Sequence, residues 1–270
     1  LLDFGALPTS ARTRDPIQSP LETARSVSPT APVTQVFTEA ASIISFLSDF
    51  DIVTSEGRAA IDDPETAYRL IRTADFIGFA DIHLDRTANS TLKIHETAQK
   101  LQQQYQLMIR HFGERNTLVF LEGIGSNQTL LHHIEPEFTA KFLTTRAQNT
   151  HLIGMDNLKY VSTFKALEKQ FFSKLKEGES TELTREWFDN MNAALMEWGC
   201  EKRNDVFMET LRFHVVTHDW QHRSIMMAGL LHWNNTFVES VMSLYTASGK
   251  NAVILIPKNF KAQNYYFKLS

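Results

Sequence analysis

Short apolar runs alternating with helical stretches predict an α/β fold: a mainly parallel central sheet flanked by helices, with a long helical insertion between the third and fourth strands. Three observations predict it. Phe76-Ile77-Gly78-Phe79-Ala80, Thr117-Leu118-Val119-Phe120-Leu121, His151 to Asp156, Ser224 to Gly229 and Ala252 to Ile256 are compact runs rather than alternating ones, as strands buried on both faces are. Stretches of helical length separate them, as crossovers between parallel strands require. The first four runs also lead into a histidine or a carboxylate, so one edge of such a sheet collects them.

Taken in order, residues 1–33 are rich in Pro, Ser, Thr and Arg without an apolar period and read as a disordered, linker-like leader. From there a single domain is expected over 34–270, with N-terminal helices over 34–73 and the core over 74–270. Val36, Ala40, Ile43, Ile44 and Leu47 recur at helical spacing, and a second helix follows Pro64. The first strand leads to His83, and a helix runs from about Asn89 to His111, closed by Gly113. The second strand ends at Glu122-Gly123, and one or two helices cross to the third, which ends at Asp156. A long helical region spans roughly Tyr160 to His218, broken near Gly178. The fourth strand precedes His232, a helix from about Asn234 precedes the fifth, and Tyr265-Tyr266-Phe267 suits a last edge strand. No internal repeat is visible.

Composition narrows the function classes. The chain has 270 residues, 43% of them hydrophobic, which is enough to bury a full core. A net charge of −4 with interspersed signs gives no basic stripe for nucleic acid and no polybasic membrane anchor. No apolar run approaches the roughly 18 residues of a transmembrane segment. The single cysteine, Cys200, excludes an internal disulfide framework and a Cys-rich zinc site. The first residue is Leu1, and the leader suits a linker, so the expectation is a soluble chain that is secreted or processed from a larger polypeptide.

Ligands of open parallel sheets bind beyond the carboxyl ends of the strands. There the first strand offers Asp81 and His83, with Asp85 just beyond. The second offers Glu122, the third Asp156, and the fourth His232. Imidazole and carboxylate are ligands for zinc, manganese, iron or cobalt, and a spare carboxylate can act as general base. Each residue also has a structural reading. His83 could close a strand through a hydrogen bond, Glu122 could accept the N–H groups of a helix after Gly125, and Asp156 could be the N-cap of the next helix. His232 follows Gly229-Leu230-Leu231, where the glycine permits close backbone approach.

At these residues the sequence resembles the TIKI/TraB superfamily, which also takes in ChaN-like proteins and the erythromycin esterases. Phe79-Ala80-Asp81-Ile82-His83 is similar to its first histidine motif, with Ala80 in place of the glycine. Leu118 to Glu122 looks like its glutamate strand. Gly229-Leu230-Leu231-His232 matches its closing Gly-x-x-His, and Arg203-Asn204-Asp205-Val206-Phe207-Met208 resembles its Arg-Asn helix motif. The resemblance covers about residues 75–257. It implies a divalent-metal-dependent hydrolase of peptides or esters, acting on a small molecule or peptide. His83 and His232 would hold the metal, and Glu122 would be a ligand or the general base. Asp81 would orient His83, Arg203 would stabilise an oxyanion, and Asn204 would orient substrate, with Asp156 nearby.

Two rival readings stand beside it. The same fold could be a non-catalytic binding or effector domain holding haem or another ligand. A nucleotide pocket is suggested by Glu122-Gly123-Ile124-Gly125-Ser126, although Gln128 stands at the third glycine position. His214, His218 and His222 fall four apart, as on one helical face, but Val215 replaces the general-base Glu of a zincin. Ser126 lacks the flanking glycines of a nucleophile elbow, and Cys200 reads as a small buried hydrophobe.

Overall fold

The computed structural model describes residues 33–81, 92–113, 117–125, 150–176, 185–217 and 223–258. In chain order these form α1 (Val33–Leu47), β1 (Phe50–Thr54), β2 (Gly57–Ala60), α2 (Pro64–Thr73), β3 (Phe76–Asp81), α3 (Leu92–Phe112), β4 (Thr117–Gly125) and β5 (Thr150–Asp156). There follow α4 (Leu158–Lys176), α5 (Arg185–Met196), a π-helical turn (Glu197–Glu201), α6 (Lys202–Thr217), β6 (Ser224–Gly229), a 3-10 turn (Leu230–His232), α7 (Asn235–Ala247) and β7 (Ala252–Pro257).

Among the described residues the strands form one seven-stranded sheet in the order β2-β1-β7-β3-β6-β4-β5. The pairs β7–β3, β3–β6, β6–β4 and β4–β5 are parallel, while β1 runs antiparallel to both β2 and β7. Every residue of β3, β6 and β7 is buried, so their unbroken apolar sequence is what a sheet covered on both faces demands. Alternation divides the side chains. Ile77, Phe79, Val119, Leu121 and Ile225 pack with α1, α2 and α3. Ala80, Phe120, Met226, Ala228 and Ile254 pack with α6 and α7 on the other face.

Local chemistry sets the helix ends. Asp63 caps α2 by accepting from the Glu65 N–H at 3.1 Å, with Pro64 in the first turn. Asn234 caps α7 through the Phe237 N–H at 2.9 Å. Arg223, just before β6, donates to the carbonyls of Arg72 and Phe112, tying the ends of α2 and α3 to the foot of the sheet. A smaller apolar cluster lies apart from the sheet, where Phe171 of α4 packs on Met191 and Leu195 of α5.

Several expectations need amendment. Residues 34–73 are not helices alone: the β1–β2 hairpin lies between α1 and α2 and extends the sheet edge. Its turn uses Gly57 at φ 121°, a conformation that disfavours any side chain. The helical region before β6 is divided into α4, α5 and α6, the last two joined by the π turn. The expected break near Gly178, the strand at Tyr265-Tyr266-Phe267 and the leader over 1–32 lie outside the described residues.

One packing contact links the centre of the sheet to the segment carrying His232. The Trp233 indole lies across Gly78, so close that a Cβ there would stand 2.5 Å from a ring carbon. Its N–H donates to the carbonyls of Phe79 (3.2 Å) and Ala228 (3.1 Å). Gly78→Ala is therefore expected to destabilise the protein by about 1–3 kcal/mol, the usual cost of overpacking. Urea denaturation followed by circular dichroism measures it, and an unchanged midpoint would show that Trp233 does not pin this segment.

Candidate functional site

The helix after β3, α3, covers one face of the sheet, and the helix after the adjacent β6, α7, covers the other. Connections that leave neighbouring strands toward opposite faces open a crevice at the strand ends, where α/β proteins bind ligands. At this crevice the in-register pair Asp81 and Gly229 ends β3 and β6.

Strand alternation puts Glu122 on the same face as Leu118 and Phe120, toward α6. Its Oε2 accepts the Gly229 N–H at 2.6 Å, which bridges the ends of β4 and β6. Its Oε1 accepts from Arg203 Nη2 at 2.5 Å and lies 3.1 Å from His232 Nε2. Arg203 also donates from Nε and Nη2 to the two oxygens of Asp156, at 2.7 and 2.8 Å, and from Nη1 to the Gly199 carbonyl at 3.3 Å. The next residue, Asn204, donates from Nδ2 to the His232 carbonyl at 3.0 Å, and its Oδ1 lies 2.7 Å from His232 Nδ1. Five buried polar side chains from β4, β5, α6 and the turn after β6 thus form one network.

The electrostatics follow from burial. The side chains of Arg203, Glu122 and Asp156 are 8%, 7% and 0% exposed. Burial disfavours the Arg203 charge, but Glu122 and Asp156 more than offset this and hold its pKa above the ordinary value. A guanidinium suits the place because its planar fork donates to two carboxylates at once.

The sheet and the turns around it deliver these groups. His232 comes three residues past β6, in the 3-10 turn that Trp233 pins. Arg203 and Asn204 open α6 directly after the π turn, and Gly199 within that turn lies under the Phe164 ring, 2.7 Å from where a Cβ would be. One extra residue per turn is how such a segment re-aims the side chains that follow.

The sequence-based expectations meet this geometry unevenly. Glu122, Asp156, Arg203, Asn204 and His232 come together. His83 and Asp85 lie outside the described residues, as do Ser126, His218 and His222. Asp81 is buried, and alternation turns it to the opposite face, where its charge helps burial raise the pKa of the Tyr105 hydroxyl. Asp156 is not the helix cap: Asn157 takes that part, accepting the Lys159 N–H at 3.0 Å. Strand β4 continues through Gly125, so no dinucleotide turn begins at Gly123, and the helix expected after Gly125 lies outside the described residues. Arg203 and Asn204, expected to meet substrate, are occupied by the network. His214 stacks its edge on Phe120, with centroids 5.7 Å apart, beneath the sheet. Among the described residues, no group of three or more His, Cys, Asp or Glu is disposed to hold a metal ion. Sequence reading missed the part played by the Gly229 N–H, although the glycine of Gly-x-x-His was its signal.

Cys200 is 3% exposed, and burial, with Glu122 second, pushes its thiol from 9.0 up to about 12. Its proton is held more tightly in the folded chain than in the unfolded one. Its contribution to stability is therefore complete below pH 9.0 and is lost as pH rises toward about 12. Iodoacetamide near pH ~8 should leave it unmodified until urea unfolds the chain, whereas rapid labelling of the native protein would show an accessible thiolate. Arg203→Met should cost about 3–5 kcal/mol in the same denaturation assay, because two buried carboxylates lose their cation. A loss below about 1 kcal/mol, the scale of exposed pairs, would mean that the network is solvated.

Comparison of the chain with protein-family models, with curated proteins and with solved structures gives no match to any of the three.

Proposed function

We propose that this chain is a divalent-metal-dependent hydrolase of peptide or ester bonds whose site lies at the carboxyl ends of β3, β4 and β6. The observation that supports the reading best is the pairing of His232 Nε2 with Glu122 Oε1 at 3.1 Å, both buried at the switch-point crevice. An imidazole nitrogen and a carboxylate oxygen facing each other are a donor pair of the kind that zinc, manganese, iron and cobalt accept. His232 and Glu122 would hold the ion, with His83 of the β3 end as the third ligand. The resemblance to the TIKI/TraB superfamily, with its ChaN-like and erythromycin-esterase-like members, points to the same three residues. A bound ion would supply Lewis acidity and lower the pKa of a coordinated water.

The chain's own groups have definite tasks in this reading. Glu122 is a ligand of the ion or else the general base that takes a proton from the attacking water and returns it to the leaving group, and Arg203 holds its carboxylate in place. Asp156 keeps Arg203 aligned by accepting two of its N–H groups. The Gly229 N–H fixes the second oxygen of Glu122. The substrate is a small molecule or peptide that enters at the carboxyl ends of β3 and β6.

A second reading is favoured by one feature, the guanidinium that already neutralises both carboxylates. On that reading the cluster is scaffolding in a non-catalytic protein that binds haem or another ligand.

Calorimetry with Mn²⁺, Fe²⁺, Co²⁺ and Zn²⁺ on the wild type, His232→Ala and Glu122→Gln separates the two. The hydrolase reading expects roughly one equivalent bound, with affinity reduced by about 10- to 100-fold or more in each variant, and hydrolysis of peptide or ester substrates that follows occupancy. An absence of binding in the wild type would remove it, and a Soret band on adding haem would favour the second.

A further inference from the structure

We infer that Asn204 is a positioning residue that holds a hydrogen on Nδ1 of His232 and so directs Nε2 at Glu122. The inference rests on the metal reading for its purpose but not for its geometry.

The hydrogen-bond chemistry permits one arrangement at Nδ1. A backbone carbonyl only accepts, so the 3.0 Å contact between Asn204 and the His232 oxygen must come from the amide nitrogen. That orients the amide and brings Oδ1 to His232 Nδ1 at 2.7 Å. An amide oxygen only accepts, so the hydrogen of this contact belongs to Nδ1. Nε2 is directed at Glu122 Oε1 at 3.1 Å, so in the metal-free chain a second hydrogen, on the ring or on the carboxyl group, lies between them.

The surroundings keep the ring in this pose. His232 is 3% exposed, and Asn204 is 7% exposed. The ring of Phe207, one turn along α6 from Asn204, lies 4.9 Å from the imidazole. Two hydrogen bonds from one amide hold both the backbone and the ring of the same residue, so neither can rotate without breaking one. Histidines that bind metals are oriented in the same way, by a second ring nitrogen that donates to a fixed acceptor. Loss of such a partner typically weakens metal binding by about 10- to 100-fold.

The test reads the tautomer directly in the metal-free full chain. Long-range ¹H–¹⁵N correlation spectra of histidine-labelled protein distinguish rings protonated at Nδ1, at Nε2 and at both nitrogens. His232 is assigned by its disappearance in His232→Ala. A ring carrying a hydrogen on Nδ1, alone or with a second on Nε2, is expected in the wild type. Asn204→Asp, which keeps an acceptor beside Nδ1, should preserve it. Asn204→Leu should shift the spectrum toward Nε2–H or an average, and should weaken Zn²⁺ binding by about 10- to 100-fold. A wild-type ring protonated at Nε2 alone would overturn the inference, whether or not Asn204→Leu folds. So would an unchanged Nδ1–H signature in a folded Asn204→Leu. If the spectra are as expected and no divalent ion binds, the tautomer assignment stands and the hydrolase reading fails. If ions bind to a wild-type ring in the other tautomer, the reverse holds.

Discussion

The Arg203 guanidinium, buried between Glu122 and Asp156, is the interaction on which the strand-end architecture depends. Burying two carboxylates at that depth is costly unless a cation pairs with them. The charge therefore comes from α6, separated in sequence by 47 residues from Asp156 and by 81 from Glu122. Docking α6 on the sheet and neutralising the site are thus one event. A buried ion network of this kind gains little net stability over an apolar core, but it penalises any packing that separates its members.

This constraint clarifies why the two faces of the sheet look different at the carboxyl edge. On the face of α1, α2 and α3, Tyr105 closes the layer, its hydroxyl donating to the Ala80 carbonyl at 2.6 Å and its ring 4.9 Å from Phe79. On the other face the aromatic layer of Phe120 and Phe207 gives way to Glu122, Arg203 and His232. The polar groups thus sit where the strands end and apolar cover runs out. Trp233 bounds them on the β3 side, with its only polar atom satisfied by two backbone carbonyls.

The sheet core was legible because strands buried on both faces need near-continuous apolar runs, and β3, β6 and β7 have them, Asp81 and Ser224 standing at strand ends. The hairpin was not, since an edge strand carries little of that signal: all four residues of β2 are exposed, and β1 carries Asp51 paired with Arg58. The site was legible in position more than in wiring. Reading what each strand runs into finds Glu122, Asp156 and His232, because topology alone brings those ends together. Which acceptor Arg203 meets depends on the phase of α6, which the π turn sets through the packing of Gly199 beneath Phe164. No local pattern in Glu197-Trp198-Gly199-Cys200-Glu201 encodes that phase. The reading of Asp156 as a cap missed by one residue, since Asn157 accepts the helix N–H while the aspartate meets a charge from across the sheet.

Adjacent placement of Arg203 and Asn204 has a mechanical consequence. Successive helical residues point about 100° apart, so one helix start can reach two targets only when both lie around its end. Here one target is the Glu122–Asp156 pair and the other is His232. Asn204 grips the turn after β6, and Arg203 grips β4 and β5. A ligand that draws on Glu122 must share Oε1 with the guanidinium or displace it. Displacement would loosen the contact of α6 with β5, and with it the acceptor that orients His232. The carboxylate and the imidazole therefore do not respond independently, because the same first turn of α6 holds both.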